Sequence, residues 1–273
     1  TISMVTGGNF ENLEASAVPA VTAITDDADV VVVSLAASPS VAEGGAIAYT
    51  ASLTQPAASA VTVTLSTGVV IVIPVGGSSA TVSAPAPAED VYVDAGSQSA
   101  TISSATGGGF ENLVASPTPA TTAITDTLDT TTVSLAATPA VGEGGSIVYT
   151  ASLTALAQTA VTVTLDDGSA IVIAAGSNTG SISVPAPTDD VYVDASTVSR
   201  QIASATGGNF EVLAINGAPA VTAVSDTVDV ATASLSATPS VAEGGNIVYT
   251  VSLSHPAGTA MTVTLSNGAT IAI

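Results

Sequence analysis

A repeat of 100 residues is the feature that most constrains the fold of this chain. The motif Thr-Gly-Gly-Asn-Phe-Glu at 6–11 returns at 206–211, and at 106–111 with one change. A second motif, Val-Ala-Glu-Gly-Gly at 41–45, recurs at 241–245, and at 141–145 with Gly in place of Ala. A period of this length is too long for one unit of a solenoid and has the size of a whole β-sandwich domain. The sequence therefore predicts tandem domains arranged end to end.

Acidic junctions mark where one repeat ends and the next begins. The segment Ile24-Thr25-Asp26 precedes Asp29, and the same arrangement returns 100 and 200 residues later. We expect the C-terminal part of a repeat at 1–28, full repeats at 29–128 and 129–228, and the N-terminal part of a repeat at 229–273. Because Thr1 falls inside the repeat, we expect the sequence to be an internal piece of a longer protein.

Short stretches of alternating apolar residues predict an all-β fold of antiparallel β-sandwiches. Val161, Val163 and Leu165 alternate with threonines, and Asp167-Gly168 follows with the composition of a hairpin turn. No segment has a helical period. The second full repeat is predicted to contain seven strands, at 131–137, 146–153, 160–165, 169–174, 179–185, 197–204 and 210–224. The recurring tyrosines are predicted to pack in the core or between the sheets; they are Tyr49, Tyr92, Tyr149, Tyr192 and Tyr249.

The charge balance limits which partners the chain can bind. It has 22 acidic residues and one basic residue, Arg200, for a net charge of −21. Nucleic acids and anionic membranes are bound through Lys and Arg, so both classes of partner are excluded. No apolar run approaches the roughly 18 residues that indicate a membrane-spanning helix. We expect cations as partners and, because the chain has no Cys, a staple other than disulfides.

The predicted topology gathers acidic residues at one end of each repeat. With seven strands, the turn after the first strand, the segment after the fifth strand and the last residues all lie next to the following repeat. Most acidic residues of these segments recur every 100 residues. The predicted metal ligands are Asp26, Asp29, Glu43, Asp90, Asp94, Asp126, Asp129, Glu143, Asp189, Asp190, Asp194, Asp226, Asp229 and Glu243.

Calcium is the ion that best fits these predicted ligands. Carboxylates gathered in one place repel each other unless a cation lies between them. Ca²⁺ binds about 6–8 oxygen atoms in a flexible geometry. With one His and no Cys, the chain has no ligand set for zinc or softer metals. The alternative is that the acidic residues only keep the surface soluble.

Several motifs of the second full repeat resemble a known family. They are Val-Ser-Leu-x-Ala-x-Pro-x-Val-x-Glu-Gly-Gly at 133–145, Tyr-Thr-x-Ser-Leu at 149–153, Val-Thr-Val-Thr-Leu at 161–165 and Asp-Val-Tyr-Val-Asp at 190–194. With the later Thr-Gly-Gly-x-Phe-Glu, they resemble the repeats of LapA-type adhesins, which are large biofilm proteins that Gram-negative bacteria export by type I secretion. This resemblance implies an extracellular stalk, or extender, that holds a binding module away from the cell surface.

The same motifs also resemble Calx-β domains, which are Ig-like sandwiches that bind Ca²⁺ at one end. This resemblance implies that each junction between repeats is stiffened by calcium. The ligands that it implies are Glu43, Asp90, Asp126 and Asp129, and likewise Glu143, Asp190, Asp226 and Asp229. The expected partners are calcium ions, the neighbouring repeats of the chain and, by self-association, other adhesin chains.

The sequence carries no catalytic constellation, and we predict that the protein is not an enzyme. His255 is the only His, and its counterparts in the repeat are Gln55 and Ala155, which is typical of an exposed loop position. Asp189 and Asp190 are adjacent, whereas the carboxyl groups of a glycosidase stand roughly 5 Å or more apart across the sugar. The alternative function is a binding module whose Thr-rich sheet faces recognise a glycan, a surface or a sister chain.

Overall fold

The strands of the chain are short and no helix interrupts them. A computed structural model describes residues 1–273 and contains strands β1 to β24, so the all-β prediction is confirmed. Unit 1 comprises Thr1–Ala88 and Ala95–Thr125, and unit 2 comprises Glu89–Asp94 and Asp126–Ile273. The structure has no helix of the length and hydrophobicity that crossing a bilayer requires.

Unit 1 contains the first full repeat. Its ten strands follow the alternation of apolar and polar residues in the sequence. They are β1 (Val30–Ala37), β2 (Ser40–Ala42), β3 (Ala46–Leu53), β4 (Val61–Leu65), β5 (Val70–Ile73), β6 (Ser79–Pro85), β7 (Gly96–Ala100), β8 (Ile102–Gly107), β9 (Asn112–Ala115) and β10 (Ala120–Thr125).

Unit 2 contains the second full repeat and the residues after it. The strands of the full repeat are β11 (Thr130–Ala137), β12 (Ala140–Gly142), β13 (Ser146–Leu153), β14 (Val161–Leu165), β15 (Ala170–Ile173), β16 (Thr179–Pro185), β17 (Ser196–Arg200), β18 (Ile202–Gly207), β19 (Val212–Ile215) and β20 (Ala220–Ser225). The later strands are β21 (Ala233–Ala237), β22 (Tyr249–Leu253), β23 (Thr262–Thr264) and β24 (Thr270–Ala272).

The two full repeats have the same sheet topology. In the second, a four-stranded sheet has the order β16-β13-β11-β19, and two three-stranded sheets have the orders β15-β14-β18 and β12-β20-β17. Only Gln201 separates β17 from β18, so one stretch of chain serves both smaller sheets. In the first repeat the corresponding orders are β6-β3-β1-β9, β5-β4-β8 and β2-β10-β7. This arrangement is consistent with an Ig-like β-sandwich.

Two strand pairs in each repeat are parallel, although the sequence predicted only antiparallel sheets. β11 pairs in parallel with β19, and β12 pairs in parallel with β20. β11 matches the first predicted strand, 131–137, but β12 was not predicted: the strand breaks at Thr138-Pro139, and β12 continues in a different sheet. Proline cannot donate a ladder hydrogen bond, so it favours this break. The last predicted strand also divides, around Asn216-Gly217 as predicted, which allows β19 and β20 to pair with these two strands.

Each full repeat encloses its own apolar core. In the second repeat Val133, Ile147, Tyr149, Val163 and Ile171 are each at most 1 % exposed. Burying one such side chain stabilises the fold by about 1.5–3 kcal/mol, so the alternating residues of the facing sheets hold the layers together.

The residues outside the full repeats are more exposed. The segment 1–28 has no strand, and all of its residues are exposed. After residue 229 the chain forms two small antiparallel pairs, in which Leu235 is 53 % exposed. The acidic residues at the end of a repeat are therefore described below for the second full repeat.

Candidate metal centre

The turn that carries Glu143 is fixed at both sides by backbone hydrogen bonds. Glu143 follows β12, and its N–H donates to the carbonyl of Ser225 at the end of β20, with a distance of 3.0 Å. The N–H of Gly144 donates to the carbonyl of Pro187, with a distance of 2.7 Å. These bonds hold Glu143 between the last strand of the repeat and the segment that follows β16.

Two glycines make this turn possible. Gly144 has a φ of +67°, a left-handed conformation in which a side chain is strained. At Gly145 an added Cβ would lie 2.6 Å from Cγ2 of Val141 and 2.9 Å from the carbonyl oxygen of Gly142. The two glycines of the Glu-Gly-Gly motif therefore have a steric cause, because a side chain at either position would strain the turn that carries Glu143.

Asp194 and Asp226 approach Glu143 from two other parts of the repeat. Asp226 directly follows β20, and Asp194 ends the segment 189–194, which we call the second strap. The backbone N–H of Asp194 donates to Oδ1 of Asp226, with a distance of 3.1 Å. One carboxylate oxygen from each of Glu143, Asp194 and Asp226 lies within 4.8 Å of the other two. The fold thus brings together acids from three distant parts of the sequence.

The electrostatics of Glu143 show that the cluster is strained when it is fully ionised. A hydrogen bond with the Asp194 carboxyl group, which requires a shared proton, is the largest cause of a raised pKa. Burial and repulsion from Asp194, Asp226 and Asp190 add to it, and together they raise the pKa of Glu143 to about 7. Glu143 is only 8 % exposed, and its Oε2 atom is buried without a hydrogen-bond partner.

These residues fit a hard divalent cation. Three carboxylates offer oxygen ligands, and the buried Oε2 atom of Glu143 has no other partner within the protein. A cation between them would replace the missing hydrogen bond and cancel the mutual repulsion of the charges. The cluster contains no nitrogen or sulfur ligand, which favours calcium or magnesium over zinc.

Part of the same arrangement is repeated 100 residues earlier. Asp94 ends the segment 89–94, the first strap, and one of its carboxylate oxygens lies within 4.8 Å of one from Asp126, which also belongs to unit 2. Oδ1 of Asp126 is buried without a hydrogen-bond partner. In unit 1, Glu43 is 5 % exposed and its N–H donates to the carbonyl of Thr125, as Glu143 does to Ser225.

Three other predicted ligands shape the straps through hydrogen bonds. The carboxylate of Asp90 accepts from the N–H of Tyr92 at 2.8 Å, and that of Asp190 accepts from the N–H of Tyr192 at 2.7 Å. The carboxylate of Asp189 accepts from the hydroxyl of Thr227. Their carboxylates thus fix the conformation of the straps that carry Asp94 and Asp194.

The acidic residues that begin the repeats have different neighbours. The N–H of Asp29 donates to the carboxylate of Glu111 at 2.8 Å, and that of Asp129 donates to the carboxylate of Glu211 at 2.5 Å. Recurrence every 100 residues was the available signal for Glu111 and Glu211, but neither was among the predicted ligands. Three further predicted ligands have exposed side chains, namely Asp26, Asp229 and Glu243.

One known domain family matches most of the chain. The family model of the LapA domain matches residues 29–127, 129–227 and 229–273. The chain belongs to the LapA domain family. Each LapA domain begins at an aspartate of the 100-residue repeat. All three members of the Glu143 cluster lie within the second domain. A search of curated proteins found no match to the chain.

Proposed function

We propose that this run of LapA domains is a calcium-stiffened extender in the stalk of a secreted cell-surface adhesin. The observation that carries the proposal is the cluster of Glu143, Asp194 and Asp226, in which the buried Oε2 atom of Glu143 has no hydrogen-bond partner. The repeat family supports an adhesin-type region, and the tandem all-β architecture supports a structural role rather than a catalytic one.

The position of the cluster in the chain explains how an ion would stiffen a junction. Asp226 directly follows the last strand of the second repeat, and the third LapA domain begins at Asp229. Asp194 belongs to the strap, whose Tyr192 hydroxyl donates to the carbonyl of Pro256 at 2.9 Å. An ion bound by Glu143, Asp194 and Asp226 would hold the end of the strap and the start of the linker in one place.

Calcium would also act as the missing staple. The chain has no disulfide, and its net charge of −21 opposes compaction. A ligand that binds only the folded state stabilises it by about 2.7 kcal/mol at a concentration 100-fold above its Kd. Modules in calcium-rich extracellular fluid commonly bind Ca²⁺ with a Kd on the order of 10⁻⁴–10⁻³ M. A chain exported unfolded would therefore become rigid after it meets external calcium.

The test is a calcium titration of the full chain, followed by calorimetry and small-angle scattering. We expect saturable calcium binding, a higher melting temperature and a narrower distribution of dimensions. Glu143→Gln should abolish the calcium response of the second repeat, because it removes one of the charged ligands. Glu14→Gln is the matched control, since Glu14 lies in the exposed segment 1–28.

Two results would contradict the proposal. One is a melting temperature and a scattering profile that do not respond to calcium or to a chelator. The other is an equal calcium response of Glu143→Gln and the unchanged chain. Saturable binding of a glycan by the chain, in the absence of any stiffening by calcium, would favour the binding-module alternative instead.

A further inference from the structure

The side chain of Tyr92 anchors the first strap on the second repeat. The ring of Tyr92 stacks on that of Phe210, with 5.7 Å between ring centroids and 24° between ring planes. The hydroxyl of Tyr92 donates to the backbone carbonyl of Leu156 at 2.7 Å. All three residues belong to unit 2. The anchor therefore combines an aromatic contact with one directional hydrogen bond.

Backbone hydrogen bonds fix the strap on either side of the ring. The N–H of Val93 donates to the carbonyl of Asn209 at 3.0 Å, and the N–H of Glu211 donates to the carbonyl of Val91 at 3.1 Å. These two bonds make an antiparallel bridge between Tyr92 and Phe210. Beneath the strap Phe210 is only 8 % exposed. The strap is thus held as a very short added strand, a recurring way for a protein to bind an extended peptide.

The second strap uses the same acceptor position in the following repeat. The hydroxyl of Tyr192 donates to the backbone carbonyl of Pro256 at 2.9 Å, and its ring lies next to Gly258. Pro256 stands 100 residues after Leu156, which accepts the hydroxyl of Tyr92. Because the acceptor is a backbone carbonyl, the change of side chain from Leu to Pro leaves it available.

The first repeat has the same surface, but no strap covers it. A depression of about 350 Å³ in unit 1 is lined by Pro56, Ala58, Gly109, Phe110 and Glu111, among others. Four of these, Pro56, Gly109, Phe110 and Glu111, are the counterparts of residues that hold the first strap in the second repeat. Phe110 is half-buried, whereas its covered counterpart Phe210 is buried.

The backbone of this depression is already in the conformation that binds a strap. Gly107, Gly108 and Gly109 have φ angles of 97°, 87° and 70°. The corresponding angles at 207–209 are 102°, 87° and 61°. The carbonyl of residue 109 and the N–H of residue 111 are therefore presented as they are at 209 and 211, and neither makes the bond that its counterpart makes to a strap.

We propose that this depression on the first repeat is a receptor for the strap of a preceding repeat. The occupant is an extended Asp-Val-Tyr-Val-Asp segment whose tyrosine stacks on Phe110 and donates its hydroxyl to the carbonyl of Pro56. The two straps of this chain are already docked through Tyr92 and Tyr192, which favours a strap from outside these repeats over one from a second copy. Each repeat then has one strap, with its tyrosine, and one surface that receives the strap of the repeat before it. The docking contacts use no predicted metal ligand.

The experiment titrates the full chain with a synthetic peptide that copies residues 88–95. Isothermal calorimetry should show one saturable site, both in calcium and in a chelator. A peptide with Ala in place of Tyr should bind at least about tenfold more weakly, because it loses the stacking and the buried ring. A peptide with Phe in place of Tyr should lose about three- to tenfold, because only the hydroxyl bond is removed.

Protein variants locate the site. Phe110→Ala should weaken peptide binding at least about tenfold, whereas Phe10→Ala should leave it unchanged. Phe10 is the matched control because it occupies the same repeat position but is 68 % exposed and lies in a segment without strands. Equal binding of the Tyr and Ala peptides would overturn the proposal, and this comparison needs no protein variant. Dimers of the full chain that Phe110→Ala dissociates would also overturn it, since they would assign the surface to a second copy.

Discussion

The backbone N–H of Asp194 donates a hydrogen bond to the carboxylate of Asp226, although the two residues are 32 positions apart in the chain. This bond joins the end of a strap to the end of the last strand of the repeat. It also brings the carboxylate of Asp194 beside that of Glu143, where it raises the pKa of Glu143. We therefore expect the stability of the repeat to depend on pH and, if the proposed ion binds, on calcium.

The pH dependence without metal follows from Glu143. The pKa of Glu143 is about 7 in the folded repeat, whereas its ordinary value, which applies to the unfolded chain, is 4.5. The folded state therefore binds the proton more tightly than the unfolded state. The resulting stabilisation is complete below pH 4.5 and is lost as the pH rises through 7. In a chelator, we expect Glu143→Gln to remove this loss. Urea unfolding of both chains at pH 5 and pH 8 measures it, and parallel pH profiles of the two chains would contradict the prediction.

A buried hydroxyl predicts a stabilising substitution in the second repeat. Thr131 is fully buried, and its Oγ1 atom has no hydrogen-bond partner. Its counterpart in the first repeat is Val31, which is 4 % exposed and belongs to the core. Because Val has the same shape without the unsatisfied oxygen, Thr131→Val should stabilise its repeat by about 1–3 kcal/mol. Calorimetry would show the higher melting temperature.

The reverse substitution is the control for this prediction. Val31→Thr places a hydroxyl in an apolar site of the first repeat and should destabilise it by about 1–3 kcal/mol. If both substitutions lower the melting temperature, the environment of Thr131 contains a partner for its hydroxyl and the explanation fails.

The sequence predicted the strands and the gathering of Glu143 with Asp226, but it did not predict the straps. Regular alternation marks a strand such as β13 locally, and the number of strands then places the turn of Glu143 beside the end of β20. Tyr49 and Tyr149 pack in the core as predicted, and Tyr92 packs half-buried against the core of the second repeat, whereas Tyr192 is 40 % exposed. The hydrogen bonds that Tyr92 and Tyr192 make to the following repeat were not predicted. Their positions depend on carbonyls 64 residues away, which no local pattern encodes.

The hydroxyl of Tyr92 should contribute measurably to strap docking. Tyr92→Phe keeps the stacking on Phe210 and removes the hydrogen bond to Leu156, so it should cost about 0.5–1.5 kcal/mol. Tyr92→Ala should cost more, because the aromatic contact is also lost. Amide hydrogen exchange of Glu211, whose N–H bonds to the strap, reports local opening. Unchanged protection of that amide in both variants would show that the strap does not depend on its tyrosine.

The turn glycines make a final prediction that separates stability from calcium binding. Gly145→Ala forces its new Cβ against Val141 and the carbonyl of Gly142, so the turn must shift at a cost of about 1–3 kcal/mol. Gly168→Ala is a matched control, because Gly168 has a φ of +86° and open space around it, and strain there costs about 1–2 kcal/mol. Both variants should lower the melting temperature in a chelator by similar amounts.

Only Gly145→Ala should also weaken the calcium response, since it displaces the adjacent Glu143. An equal calcium response in the two variants would mean that the position of Glu143 does not control the ion.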